Sequence, residues 1–201
     1  MTFSSDIAFT PTVKALQAAR GSRDSYARIE QRGGFRTKIT ADLTDFLAGI
    51  DTAYLATATA EGQPYAQHRG GPPGFIRVLD EQTLGFADFT GNRQYLTSGN
   101  LAENDKAFLF LMDYANRRRI KLWGRARVVT DDQALVDRLM PEDYPARPEQ
   151  AILFTVLAWD VNCPQHIPRK VDATDVGTAI ARLEAQVAAL KAENAALRAR
   201  T

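Results

Sequence analysis

From Ala53 onward the apolar residues fall at a period of two, in short runs separated by tight turns, and this alternation limits most of the chain to sheet-forming folds. "AYLATATAEGQPYAQHRG" reads as two strands around a Glu-Gly turn. "GFIRVLDEQTLGFADF" reads as a second hairpin around Asp80 to Gln82, and "KAFLFLMD" with "RRRIKLWGRARVV" as a third, joined by Tyr114 to Asn116. Hairpins so closely spaced favour an antiparallel sheet or a small barrel. One helix interrupts them: "TDDQALVDRL" carries a capping Thr130, two early aspartates and apolar Leu135, Val136 and Leu139, after which "AILFTVLAWDV" resumes the strands. The expected architecture is a β-barrel decorated by helices.

Both flanks read as helix. Thr10 before Pro11 and Gly21 after Arg20 bracket one segment, and Ser22 with Gly33 and Gly34 bracket a second. A third starts at Thr40 as N-cap, with Asp42 in its first turn and a stripe of Leu43, Phe46, Leu47 and Ile50 that must face a core. At the other end Val176, Ile180, Leu183, Val187, Leu190, Asn194 and Leu197 follow one another in steps of four and three, the seam of a coiled coil. Leucine occupies most d positions and β-branched residues the a positions, while Asn194 at an a position favours a two-stranded, in-register pair. Glu193 at g can meet Arg198 at e of a partner chain.

The 201 residues suffice for one sizeable core and an appendage, and 45% hydrophobic content with mixed charges is ordinary for a soluble globular protein. A net charge of +1 argues against a dedicated nucleic-acid binder, so any anion site must be local. The one cysteine, Cys163, allows no intrachain disulfide, which fits a reducing cytoplasm. No stretch approaches the roughly 18 to 20 apolar residues that span a bilayer, and "MTFSSDIAFTPTVK" has no basic leader with a long apolar run. The expectation is a soluble, cytoplasmic chain without a membrane partner.

Four stretches carry candidate chemistry. In "PYAQHRGGPPGF" a strand over 63 to 69 sends Gln67 and Arg69 to one face and His68 to the other, which does not support a catalytic triad around His68. The following Gly and Pro residues allow a ligand close to the backbone, or make an ordinary loop. In "FADFTGNRQYLTSGNLAEN" a strand ends near Asp88 and Arg93 stands at the start of a short helix, where free N–H groups and a guanidinium can hold a phosphate together; a solvated arginine is the plain alternative. In "NRRRIKLWGRAR" the side chains of Arg119, Lys121, Trp123, Arg125 and Arg127 share a face, suited to a flat anion or to solvent. In "AWDVNCPQHIPRK" Cys163 and His166 have half the spacing of a zinc site, but only His68 remains as a further nitrogen or sulfur ligand, so no metal is expected.

Taken in order, these stretches resemble the pyridoxamine 5'-phosphate oxidase-like family of FMN-binding split barrels, over roughly residues 42 to 169. The resemblance implies a six-stranded antiparallel split barrel that binds FMN, here the domain over 41–172 of an α+β chain, while the caps and heptads read above put N-terminal helices over residues 1–40 and a coiled-coil helix over 173–201. It also implies a homodimer that binds FMN in two clefts at the subunit boundary, to which the heptads add pairing through the C-terminal helix. Gln67, His68 and Arg69 correspond to the strand along the flavin, and Ala87, Asp88, Asn92, Arg93 and Gln94 to the place where ring edge and phosphate are held. Arg119 and Lys121 correspond to a basic strand that reaches the cofactor, and Trp159 to a late-strand tryptophan that flanks it.

The family's Ser-Arg-Lys phosphate clamp is replaced by Asn92, Arg93 and Gln94, so Arg69 or Lys121 must supply the missing cation. The Arg-x-His element that recognises pyridoxal phosphate is not evident, since "QHIPRK" offers His166 and Arg169 in the opposite order. FMN requires cations for its phosphate, an apolar or aromatic slot for its rings and hydrogen bonds at the ring edge. Arg69 and Arg93 suit the first, Trp159 and His68 the second, Gln67 and Asp88 the third. The expected activity is two-electron redox on a small substrate or electron donor, with no protein acid or base demanded. Other readings within the resemblance are a flavin carrier or sensor, or a haem-binding barrel with His166 or His68 as axial ligand.

Overall fold

The computed structural model describes residues 3–199. The period-two runs form seven strands: β1 (Thr52–Ala58), β2 (Pro64–Gly70), β3 (Arg77–Val78), β4 (Thr83–Phe89), β5 (Lys106–Asp113), β6 (Arg118–Val129) and β7 (Pro148–Val161). The helices are α1 (Pro11–Ala19), α2 (Arg23–Gln31), α3 (Ala41–Ala48), α4 (Leu96–Glu103), α5 (Gln133–Leu139) and α6 (Ala173–Arg198), after a 3-10 turn at Ser4–Ile7. The chain forms two compact units: the residues up to Asp113 with Arg118–Pro164, and Tyr114–Arg117 with the residues from Gln165 on.

In the first unit the strands form a single antiparallel sheet in the order β2-β1-β5-β6-β7-β4-β3. Six strands are long, the number the family resemblance implies; the seventh, β3, is the short arm of the hairpin expected around Asp80, and it pairs Arg77 with Gly85 and Val78 with Leu84. No backbone bonds join β2 to β4, yet Arg69 of β2 and Asp88 of β4 form an ion pair, so the sheet curls until these distant strands face each other. The result is a split barrel, closed across the gap by side chains.

Register determines what lines its interior. Ala53, Leu55 and Thr57 of β1 are buried and lie opposite Arg69, Gln67 and Tyr65, so these three side chains of β2 share the inner face. The apolar interior is filled by residues such as Leu55, Leu109, Leu122, Phe86 and Phe154, and the Leu43, Phe46 and Leu47 stripe of α3 belongs to the same cluster. Thr40 caps α3 as expected, accepting the Leu43 N–H at 3.4 Å. A second cluster packs Leu135, Val136 and Leu139 of α5 against Ala87, Val129 and Ala151. The cap of α5 differs from the sequence reading: Asp132, not Thr130, accepts the Leu135 N–H at 2.8 Å, because the helix begins two residues later.

A strap over residues 35–39 crosses the barrel. Arg36 and Trp159 exchange backbone hydrogen bonds, Ile39 N–H donates to the Glu81 carbonyl, and the Trp159 indole donates to the Lys38 carbonyl at 2.8 Å. Phe35 stacks on Trp123 of β6 with ring centroids 5.3 Å apart, which ties the N-terminal helices to the outer face of the sheet. Where β6 meets β7, Leu157 is an extra residue in the register, and a Cβ on Gly124 would collide with the Thr155 carbonyl and the Phe154 ring. Glycine is required there by close approach.

The Asp80 turn supplies a pH test. Its carboxylate accepts the Gln82 and Thr83 N–H groups, each at 2.8 Å, and these bonds, Gln82's foremost, hold its carboxyl below the usual carboxylate range. A carboxyl depressed on folding stabilises the fold above its unfolded pKa and loses that contribution as pH falls through the folded value. Asp80→Ala should therefore differ from the native chain more at pH 7 than at pH 2 in urea unfolding.

The second unit holds α6, capped by Asp172, which accepts the Thr174 N–H at 2.6 Å. The Lys170 ammonium lies 4.2 Å from the centre of the Tyr114 ring. No residue of α6 is buried. Among the described residues no helix is long and apolar enough to cross a membrane.

Candidate functional site

The interior turns polar where β2 approaches β4. Arg69 pairs with Asp88 and donates to Gln67 Oε1 at 3.1 Å; the Thr97 hydroxyl donates to the same oxygen at 2.7 Å. Across the gap, Gln150 Nε2 donates to Asp88 Oδ2 at 2.8 Å and to the Ser98 hydroxyl at 3.0 Å. One circuit therefore links β2, β4, β7 and the first turn of α4. Asp88 and Gln150 are buried, so their bonding satisfies groups that would otherwise be costly to remove from water.

Above this floor lies a cavity of about 300 Å³. Its far wall is the segment after β4, where the Asn92 side chain accepts the Gln94 N–H at 3.2 Å. Arg93 and Tyr95 both adopt left-handed backbone, φ 60 and 55, a conformation that costs a bulky residue about 1 kcal/mol or more and concentrates at ligand sites. Tyr95 immediately precedes α4 and provides no side-chain cap, leaving the first N–H groups of the helix, at Leu96, Thr97 and Ser98, without intrahelical acceptors. Leu96, Thr97 and Ser98 are all among the residues that line the cavity. The expected short helix is present, but it begins at Leu96, so Arg93 precedes it by three residues because the Asn92 turn intervenes.

The cavity wall carries two arginines, Arg69 and Arg93, and two carboxylates, Asp88 and Glu149. Arg69 is already committed to Asp88. Arg93 donates from Nε to the Tyr95 hydroxyl at 3.1 Å, and that hydroxyl donates to Glu149 at 2.7 Å. The Tyr95 hydrogen bond first, and then the nearby Glu149 carboxylate, hold the Arg93 guanidinium above its ordinary pKa. The two cations of the wall are therefore matched by two carboxylates.

Six residues singled out in the sequence meet here: Gln67, Arg69, Asp88, Asn92, Arg93 and Gln94. Five others lie elsewhere. His68 is exposed on the outer face with its ring 5.7 Å from that of Tyr54, as alternation along β2 requires. Ala87 faces α5 in the second apolar cluster, since its neighbour Asp88 takes the inner face. Arg119 is on the same face of β6 as Lys121, and its Nε is buried without a hydrogen-bond partner. Lys121 pairs with Asp160 at 3.2 Å and lies 5.4 Å from the Trp123 ring centre. Trp159 is 1% exposed, its indole bonded to the strap and the Arg36 guanidinium 4.6 Å from its ring centre.

Sequence reasoning missed Thr97, Ser98, Tyr95, Glu149 and Gln150. The hydroxyls in "YLTSGN" are a usable signal, because serine and threonine in a first helical turn accompany free N–H groups. Gln150 gives no local signal; its part depends on the register that sets it opposite Asp88. Cys163 and His166 are both exposed, and among the described residues no group of three or more His, Cys, Asp or Glu could hold a metal ion.

A curled antiparallel sheet with a polar cavity at its split is a split barrel. The sequence profile described as pyridoxamine 5'-phosphate oxidase matches residues 39–163, and the chain belongs to that family. HupZ from Group A Streptococcus shares the fold at 18% identity, the alignment covering 66% of this chain and 99% of that one with a TM-score of 0.51. A histidine-to-alanine variant of the same streptococcal protein aligns at 20% identity over 62% and 99%, with a TM-score of 0.50. An FMN-binding protein from Syntrophomonas wolfei aligns at 12% identity over 73% of this chain and 97% of that chain, with a TM-score of 0.45. No curated protein matches by sequence.

Proposed function

We propose that this chain binds FMN non-covalently, phosphate end in the cavity beside α4, and acts as an oxidoreductase on a small substrate in the form of a homodimer. The observation that carries the reading is that six residues assigned to flavin from sequence line one cavity with Leu96, Thr97 and Ser98, the residues that open α4. In this reading Arg93, the Leu96–Ser98 backbone and the Thr97 and Ser98 hydroxyls receive the phosphate. Arg69 acts as a strut, since Asp88 already occupies it. Bound FMN would supply two-electron redox chemistry; the chain's residues bind, orient and exclude water.

Two features support completion of the site by a second copy. The cavity is at the small end of ligand pockets, and its two cations and two carboxylates cancel, so a dianionic phosphate and three fused rings need a further cation and more apolar wall. The outer face of the sheet offers both: half-buried Tyr54, Phe108, Phe110 and Trp123, an apolar hollow of about 500 Å³ between Ile7, Phe108 and Leu157, and Arg119 with its unpartnered Nε. In the proposed dimer a partner protomer contributes that face.

The test is the visible spectrum of the purified chain followed by titration with FMN and riboflavin. FMN is expected to bind saturably, whereas a Soret band on haem addition and no response to FMN would replace the flavin reading by the haem one. Arg93→Ala should weaken FMN by about 10- to 100-fold, the value of a charge-assisted hydrogen bond, and leave riboflavin within about threefold. Glu149→Gln removes the opposing charge and should strengthen FMN about threefold without affecting riboflavin. Reduction of the bound flavin by NADH or NADPH at a rate useful for turnover supports the enzyme; tight binding without reduction identifies a carrier or sensor.

A further inference from the structure

We propose that α6 pairs with α6 of a second copy as a parallel, in-register, two-stranded coiled coil. This goes beyond the flavin reading and does not depend on it. The helix runs unbroken from Ala173 to Arg198, and the large apolar side chains of its seam, Val176, Ile180, Leu183, Val187, Leu190 and Leu197, are 41 to 62% exposed. From Val176 to Leu197 the stripe extends about 32 Å, at about 1.5 Å per residue. An apolar strip of that length is a contact surface.

The remaining positions indicate what covers it. Away from the seam alanine is the commonest residue of the helix, including Ala181, Ala185, Ala188, Ala192, Ala195 and Ala196, and the rest are glycine or polar. Alanine favours the helix locally and offers no competing ridge of large side chains, so the seam is the only large apolar face of α6. Ile180 and Val187 at a with Leu183, Leu190 and Leu197 at d is the pattern that selects two strands.

Self-complementarity then selects a copy of the same helix, running the same way. In parallel register Asn194 meets Asn194 of the second copy, and each amide finds a hydrogen-bonding partner. Glu193 meets Arg198, Gln186 meets Lys191, and Ala179 meets Glu184, so no g-to-e contact joins like charges. An antiparallel pair would set the Asn194 amide in a layer with an aliphatic d side chain and leave it unsatisfied.

Cross-linking of the full chain tests this. In a Cys163→Ser background, which removes the one native thiol, Leu190→Cys puts a thiol at d and Ala192→Cys puts one at f, on the far side of the helix. On air oxidation the chain with Leu190→Cys should run mostly as a disulfide-linked dimer on a non-reducing gel, and the chain with Ala192→Cys less than about one-tenth as much. Leu183→Cys, a second d position, should repeat the result if Leu190→Cys perturbs the seam. Equal cross-linking at d and f, or none at any d position, overturns the pairing. Because the readout needs no flavin, failure here leaves the FMN reading intact, and failure to bind FMN leaves this pairing intact.

Discussion

Asp88→Ala is expected to destabilise the chain by about 3–5 kcal/mol, the usual consequence of removing one partner from a buried ion pair. The side chains of Arg69 and Asp88 are only 12% and 11% exposed, so little solvent is available to take over from the missing partner. Arg69 Nε already lacks a partner, and removing the carboxylate strands a second guanidinium nitrogen and leaves the Gln150 amide with only its bond to Ser98. Urea unfolding monitored by tryptophan fluorescence measures the change. Asp88→Asn, which keeps an acceptor, should cost less than the alanine change. The double change Arg69→Met with Asp88→Leu should recover most of the loss, since an apolar pair of similar volume does not carry the desolvation penalty. A single-variant loss under about 1 kcal/mol would show that the split is not held by this pair.

The second large effect concerns Trp159. Its replacement by alanine is expected to cost about 3–5 kcal/mol, because it removes a fully buried aromatic together with the anchor of the strap. Trp159→Phe keeps most of the packing and loses the bond to the Lys38 carbonyl, so a loss of about 1 kcal/mol is expected. Thermal unfolding gives both values. FMN affinity of the phenylalanine variant should match the native chain within about twofold if Trp159 is a core residue; a tenfold loss with unchanged stability would return it to the flavin's side.

Trp159 also shows where the sequence stops being legible. Alternation along β1, β2 and β6 correctly separates inner from outer side chains, because period two is a local property of extended backbone. The caps at Thr10 and Thr40 are equally local, each bonding a backbone N–H three residues ahead. What covers an inward-facing tryptophan is not local: the strap that bonds it lies more than a hundred residues earlier in the chain. The same limit hides the Arg69–Asp88 pairing. Both residues read as charges near a ligand, but β2 and β4 are separated by four strands in the sheet, and only its curl sets one charge against the other.

The split itself has a mechanical consequence. No backbone bonds join β2 to β4; the Arg69–Asp88 pair bridges them directly, and the Gln67–Thr97 contact ties β2 to α4 instead. The seam of the barrel is thus as strong as a few side-chain contacts, while the rest of its wall is as strong as a continuous ladder.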